Sequence, residues 1–176
     1  MHFRGSIIVA LSLSAAACVA PRTPPPARPA ATPTPRPTPT PTPAATYTSW
    51  MDVPQTPGDW RYGPVPGGSA ATFGSGAGAP PFTIRCVRAS RTIDLVRAGT
   101  FNGNAAITVR TETATRTLAG LPLMESADLR AELAARDPLL DAMAFSKGRF
   151  AIETPGVPPL YLPSWPEVTR VIEDCR

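Results

Sequence analysis

Two neighbouring stretches of the chain alternate apolar and polar residues with period two. "FTIRCVR" (82–88) and "RTIDLVRA" (91–98) are also rich in β-branched residues, which is the pattern of half-buried strands. Ala89-Ser90 predicts a tight connection between them, although it lacks the glycine or asparagine favoured there. That register sets Ile84 against Leu95 and Cys86 against Ile93. Phe82, Ile84, Cys86, Ile93 and Leu95 then share one apolar face. On the other face Arg85 falls opposite Asp94, an expected cross-strand ion pair, while Arg88 falls opposite Arg91 and is mildly unfavourable. "AAITVRTET" (105–113) predicts a third strand with Ile107 and Val109 inward, and "TRTLAG" (115–120) a fourth.

The period then changes. "SADLRAELAAR" (126–136) reads as a helix, with Leu129 and Leu133 four apart. "DPLLDAMAFS" (137–146) reads as another, with Asp137 as N-cap and Pro138 at the first helical position. "GRFAIETPG" and "PPLYLPS" return to strand. In the closing "SWPEVTRVIEDCR", Ser164 and Glu167 have capping-box spacing, and Trp165, Val168, Val171, Ile172 and Cys175 recur on one helical face. Ahead of the hairpin, "DWRYG" and "SAATFG" predict short edge strands, with Trp50, Trp60 and Tyr62 as core or edge-covering residues, or alternatively as an aromatic platform for sugars. The fold class is therefore α+β: a small antiparallel sheet or sandwich over residues 46–176, with a C-terminal helix packed on the sheet.

The first 45 residues follow no such pattern. "MHFRGSIIVALSLSAAAC" places Arg4 before a short apolar run and small residues, the layout of a secretory signal. The run is too short for an easy membrane span, which needs about 20 residues. Residues 1–17 are read as the signal peptide and Cys18 as the lipid-attachment residue, since the segment resembles a bacterial lipoprotein signal. It departs from that signal in having Ala15 where leucine is usual, with Leu13 further back. Ordinary cleavage after Ala17, or an uncleaved anchor, is the alternative. Residues 18–45 contain "PRTPPPARPAATPTPRPTPTPTPAA", where proline fixes dihedrals and removes amide donors. Such a segment cannot bury a core and is expected as a disordered polyproline-like stalk reaching roughly 75 Å.

Composition narrows the chemistry. The formal charge is +4, but four of the 17 basic residues (Arg4, Arg22, Arg28, Arg36) precede residue 46 and all 13 acidic residues follow it. The folded part is near neutral, without the basic footprint of a nucleic-acid binder. Arg85, Arg88 and Arg110 remain a candidate patch for an anionic glycan or lipid. The one histidine is His2, which a signal peptide would carry away. This excludes histidine-based triads and metal sites from the mature chain. Ser146-Lys147 lacks the S-x-x-K spacing of a catalytic dyad. Asp137 with Asp141, and Glu125, Asp128 and Glu132, are the carboxylates left for glycosidase-type work, each also explicable as a cap or surface residue. The "GGSAATFGSGAG" run lacks the Gly-Lys-Ser/Thr ending of a phosphate loop. No catalytic residue, cofactor or metal is expected.

With Cys18 acylated, Cys86 and Cys175 are an even pair in an exported chain, on the apolar faces of a strand and of the last helix. They are expected to bridge; two buried free thiols are the alternative.

Residues 137–176 together with "FTIRCVRASRTIDLVRAG" resemble an uncharacterised group of envelope lipoproteins of alphaproteobacteria. More faintly, Asp59-Trp60 followed by a strand cysteine resembles periplasmic β-sandwich proteins of the invasion-associated locus B type, whose fuller cysteine complement this chain lacks. The resemblance implies location and fold without an activity. The expectation is a lipid-anchored, periplasm-facing envelope protein of the outer membrane. Its non-enzymatic domain would bind an envelope protein, or alternatively peptidoglycan, and no nucleic acid.

Overall fold

The computed structural model describes residues 46–76 and 78–176; the expected signal peptide, Cys18 and the stalk lie outside them. The hairpin forms as its alternation requires. Strands β3 (Phe82–Val87) and β4 (Thr92–Arg97) pair with Ile84 opposite Leu95 and Cys86 opposite Ile93. Arg88–Arg91 make the turn, closed by Arg91 N donating to Arg88 O at 3.3 Å, with Arg91 in the left-handed region at φ 55°. Asp94 does face Arg85 in register, but the ion pair forms elsewhere. Arg85 donates to Pro66 O at 3.1 Å, and Arg130 pairs with Asp94 at 3.5 Å.

Ahead of the hairpin lie β1 (Asp59–Val65) and β2 (Gly68–Gly74); beyond it lie β5 (Ala105–Arg110), β6 (Thr115–Pro122) and β7 (Leu129–Ala134). The helix expected over 126–136 is thus a strand. Leu129, Ala131 and Leu133 are buried at period two, and β7 pairs antiparallel with β4 along its length. A spacing of four between leucines fits either period, and pairing with β4 decides it. Helix α1 (Pro138–Ala144) is capped as read, Asp137 accepting from Leu139 N at 2.9 Å. Strands β8 (Arg149–Glu153) and β9 (Leu160–Pro163) precede helix α2 (Pro166–Glu173).

The nine strands run β1-β2-β3-β4-β7-β6-β5-β8-β9, antiparallel throughout. β6 is the bend. Its first part pairs with β5, whereas only Leu121 and Pro122 reach β7. Gly120 sits at the changeover, where a Cβ would stand 2.5 Å from Leu129 Cγ and 2.8 Å from Ala105 O. The strands can approach there only without a side chain. The bend brings the outermost strands together. Trp60 of β1 donates through Nε1 to Pro163 O at the end of β9, 2.8 Å away. Its ring meets Phe73 edge-on at 5.3 Å and stacks near Phe150 of β8 at 6.4 Å. Thr56 covers the other edge of β9, donating to Tyr161 O at 2.9 Å and accepting from Tyr161 N at 2.8 Å. The free edge of β9 is thereby blunted against pairing with another chain.

Helix α2 lays Val168, Val171 and Ile172 against β1, β2 and β3. Its start departs from the capping-box reading. Trp165 holds the N-cap position with no side-chain cap, Pro166 begins the helix, and Ser164 Oγ donates to Met143 O at 2.9 Å. Beyond the helix, Cys175 and Cys86 meet at disulfide distance, their Cα atoms 5.4 Å apart. Gly68 permits that end of β2 to close on β3, since a Cβ there would overlap Cys86 O.

Candidate functional site

The three arginines grouped from sequence do not assemble. Arg85 and Arg88 share the turn end of β3, both against the β1–β2 turn: Arg85 on Pro66 O, and the Arg88 amide on Gly67 O at 3.0 Å. Arg110 ends β5, separated from β3 in the sheet by β4, β7 and β6, and pairs with Glu153 at 3.0 Å. Arg91 and Arg136, absent from that trio, meet at the β3–β4 turn instead. Ala135 N donates to Arg91 O at 3.0 Å, which sets Arg136 next to the β3–β4 turn. Arg91 and Arg136 line an open recess of about 210 Å³ floored by Ala134 and Ala135.

A second recess, of about 500 Å³, lies where the end of α1 meets the start of α2. Phe145, Trp165, Pro166, Thr169 and Arg170 line it. Phe145 is 74% exposed and Trp165 39%, so Trp165 leaves the buried helical face assigned to it from spacing. The cause is the helix start: with Pro166 at the first position, Trp165 is outside the helical rotation.

A polar cluster fastens the far end of α2. Tyr62 Oη donates to Asp174, and Arg170 lies over the Tyr62 ring at 4.5 Å from its centroid. Burial alone would raise the Asp174 pKa. Ser69 and Tyr62 facing the carboxylate, with Arg88 and Arg170 nearby, more than offset it and hold the group below its ordinary value. Ser69 Oγ contributes through proximity, without full hydrogen-bond geometry. Four of the five carboxylates weighed for catalysis have structural partners; the fifth, Glu125, is an exposed turn residue with no ion pair among the described residues. Asp137 caps α1 and pairs with Arg116 at 2.7 Å. Asp141 pairs with Arg176, and Glu132 lies 3.7 Å from Arg130. Asp128 accepts from Gly99 N at 3.1 Å. Since β7 is a strand, Asp128 and Glu132 do not share a helical face. Lys147 pairs with Glu112 at 2.8 Å, and Ser146 Oγ accepts from Glu112 N. Among the described residues no group of three metal-ligating side chains comes together.

No protein family, curated protein or solved structure matches this chain. Its reading rests on its own residues.

Two buried charges belong to the scaffold. Arg97 points inward from β4, 5% exposed, and donates to Pro81 O (3.1 Å), Ala98 O (2.7 Å) and Pro158 O (2.9 Å). It ties the β2–β3 and β8–β9 connections to the end of β4. Burial lowers its pKa from the usual arginine value. Asp94, 4% exposed on the opposite face of β4, keeps Oδ1 without a partner. Burial raises its pKa, against the pull of Arg130. A carboxyl whose folded-state pKa lies above its unfolded one stabilises the fold below the unfolded value. It loses that contribution as pH rises through the folded value. At neutral pH the raised pKa therefore makes Asp94 a net cost to the fold. Asp94→Asn should raise the urea midpoint at pH 7, and the gain should shrink as the pH approaches 3.8, the ordinary carboxyl value. A variant less stable than the parent at pH 7 would show that the Arg130 pair outweighs the burial.

Proposed function

We propose that this chain is an envelope lipoprotein, anchored through an acylated Cys18 and held off the membrane by its proline-rich segment, whose domain of residues 46–176 binds an envelope partner without catalysing a reaction. The observation that carries the binding role is the aromatic recess. Phe145 and Trp165 stand exposed together between two helices, whereas Trp60, Phe73, Phe82 and Phe150 are buried in the core and the exposed Tyr47 lies outside that recess. Exposed aromatics grouped in one recess are a usual mark of a contact surface. Supporting the absence of catalysis, Asp137, Asp141, Asp128 and Lys147 are each engaged in a cap, an ion pair or a backbone contact.

Two measurements test it. Palmitate labelling in an expressing bacterium should be lost in Cys18→Ala, and labelling that persists would refute the anchor. A photoreactive residue replacing Phe145 should yield one discrete adduct in cells, abolished by Trp165→Ala; absence of an adduct counts against the partner.

A second reading, glycan binding, draws on the same recess, because Arg170 and Thr169 edge its aromatic floor. Retention on purified peptidoglycan that falls with Phe145→Ala and Trp165→Ala, and not with Arg85→Ala or Arg110→Ala, would favour the sugar over a protein.

A further inference from the structure

We infer that the β3–β4 turn end of the domain, built from Arg88, Arg91 and Arg136, is a docking site for anionic phosphate headgroups at a membrane surface. Its starting point is an imbalance of pairing. Arg110, Arg116, Arg130, Lys147 and Arg176 each reach a carboxylate. Arg88, Arg91 and Arg136, like Arg61 and Arg85, are exposed and form no ion pair among the described residues; what sets the three apart is the turn at which they gather. They are gathered by long-range pairing. The turn fixes Arg88 and Arg91 three residues apart, and the Ala135–Arg91 hydrogen bond brings Arg136 alongside. Arg91 donates to the main-chain oxygen of Arg176.

The surrounding acids are already engaged. Asp174, near Arg88, is held by Tyr62. Asp141 and Glu173 are both taken by Arg176, which adds a further guanidinium beside Ala135. Five guanidinium groups (Arg88, Arg91, Arg136, Arg170 and Arg176) stand against three carboxylates (Asp141, Glu173 and Asp174) at this end of the domain, which leaves it a modest positive excess.

The shape of the site selects the ligand. The recess between Arg91 and Arg136 has a small volume, about 210 Å³, and is floored by two alanines. No aromatic side chain lines it, so it offers no stacking surface for a sugar ring or a base. The exposed aromatics are in the other recess. Exposed guanidinium groups around such a recess suit the phosphodiesters of lipid headgroups.

This inference rests on the envelope placement proposed above, and its test is independent of acylation. The full chain carrying Cys18→Ala, which cannot be lipidated there, is floated with vesicles of phosphatidylglycerol mixed with phosphatidylcholine, and with phosphatidylcholine alone. The leader and proline-rich segment contribute equally in every variant. Arg88→Gln/Arg91→Gln/Arg136→Gln should lower partitioning to the anionic vesicles at low salt by about fivefold per arginine, on the order of a hundredfold in all. Partitioning to neutral vesicles should not change. The triple lysine variant should retain most of the binding, because the field requires charge more than fork geometry. Thermal melts confirm folding, and Arg136→Gln alone serves if the triple glutamine variant unfolds. Equal flotation of glutamine variant and parent would overturn the inference. So would displacement by inorganic phosphate at an ionic strength where chloride has no effect, since the ligand would then be a free anion.

Discussion

Replacing Cys86 and Cys175 by alanine should cost the domain about 4 kcal/mol. The two residues are 89 apart in sequence, and closing so long a loop removes at most roughly 4–5 kcal/mol of unfolded-state entropy. In a domain of typical stability, about 5–15 kcal/mol, that is a large share. The physical content is the attachment of α2. The helix is short, eight residues, and its start has no side-chain cap. Apolar contact through Val168, Val171 and Ile172, the Tyr62–Asp174 contact and the bridge hold it to β1, β2 and β3. Each single substitution should cost nearly as much as the pair, because either one opens the loop; such non-additivity separates a bond from two independent cavities. The urea slope should also rise, since the unfolded chain without the cross-link exposes more surface. Two alkylatable thiols in unreduced protein, or single-variant costs that simply add, would rule the bridge out.

The same cluster makes the attachment acid-sensitive. The Asp174 pKa is lowered in the fold, so its contribution is present above the unfolded value and is lost as pH falls through the folded one. Asp94 acts in the opposite sense and at higher pH: its cost is relieved as the pH falls towards 3.8, whereas the Asp174 clasp is released only below that value.

How much of this was legible in sequence depended on the range of the interaction that decided each element. The hairpin was legible because strict alternation on both arms admits one register, and that register formed. Helix α1 was legible because an Asp-Pro start is local chemistry. β7 was misread because Leu, Ala, Glu and Arg favour helix in isolation, whereas burial between β4 and β6 fixes the strand. That error concealed the arginine site. Arg136 at the end of a helix has no relation to Arg91, but Arg136 beyond a strand paired with β4 stands next to it. Trp165 was misplaced by one residue of helix start, enough to move it from core to surface. Arg97 was readable and overlooked: the alternation that turns Ile93 and Leu95 inward also turns Arg97 inward. Its interior position was hidden only by the assumption that arginine faces water. The partners of the aromatic recess had no signal in the chain, since exposure of Phe145 follows from how α1 ends against α2.

The other large effect is expected at Trp60, which holds the folded-over sheet closed. β1 and β9 are the first and last strands in the sheet order, and no ladder joins them. Beside the two Thr56–Tyr161 hydrogen bonds just ahead of β1, what joins them is one indole, 5% exposed, whose N–H reaches Pro163 and whose ring touches Phe73 and Phe82 on one side and Phe150 on the other. Trp60→Ala removes the ring and leaves a cavity, at a cost of about 3–5 kcal/mol for truncating a buried aromatic. It also strips Pro163 O of its donor. Trp60→Phe separates the two contributions. It keeps most of the aromatic contact and loses the hydrogen bond, so its cost should be nearer 1–2 kcal/mol. If closure is the role of Trp60, amides of β8 and β9 should exchange much faster in Trp60→Ala, while those of the β3–β4 hairpin fall only with global stability. Uniform loss of protection in both regions would mean that Trp60 is ordinary core. Loss confined to β8, β9 and Thr56 would show that the sheet opens along the β1–β9 seam, leaving the hairpin that carries Arg88 and Arg91 intact.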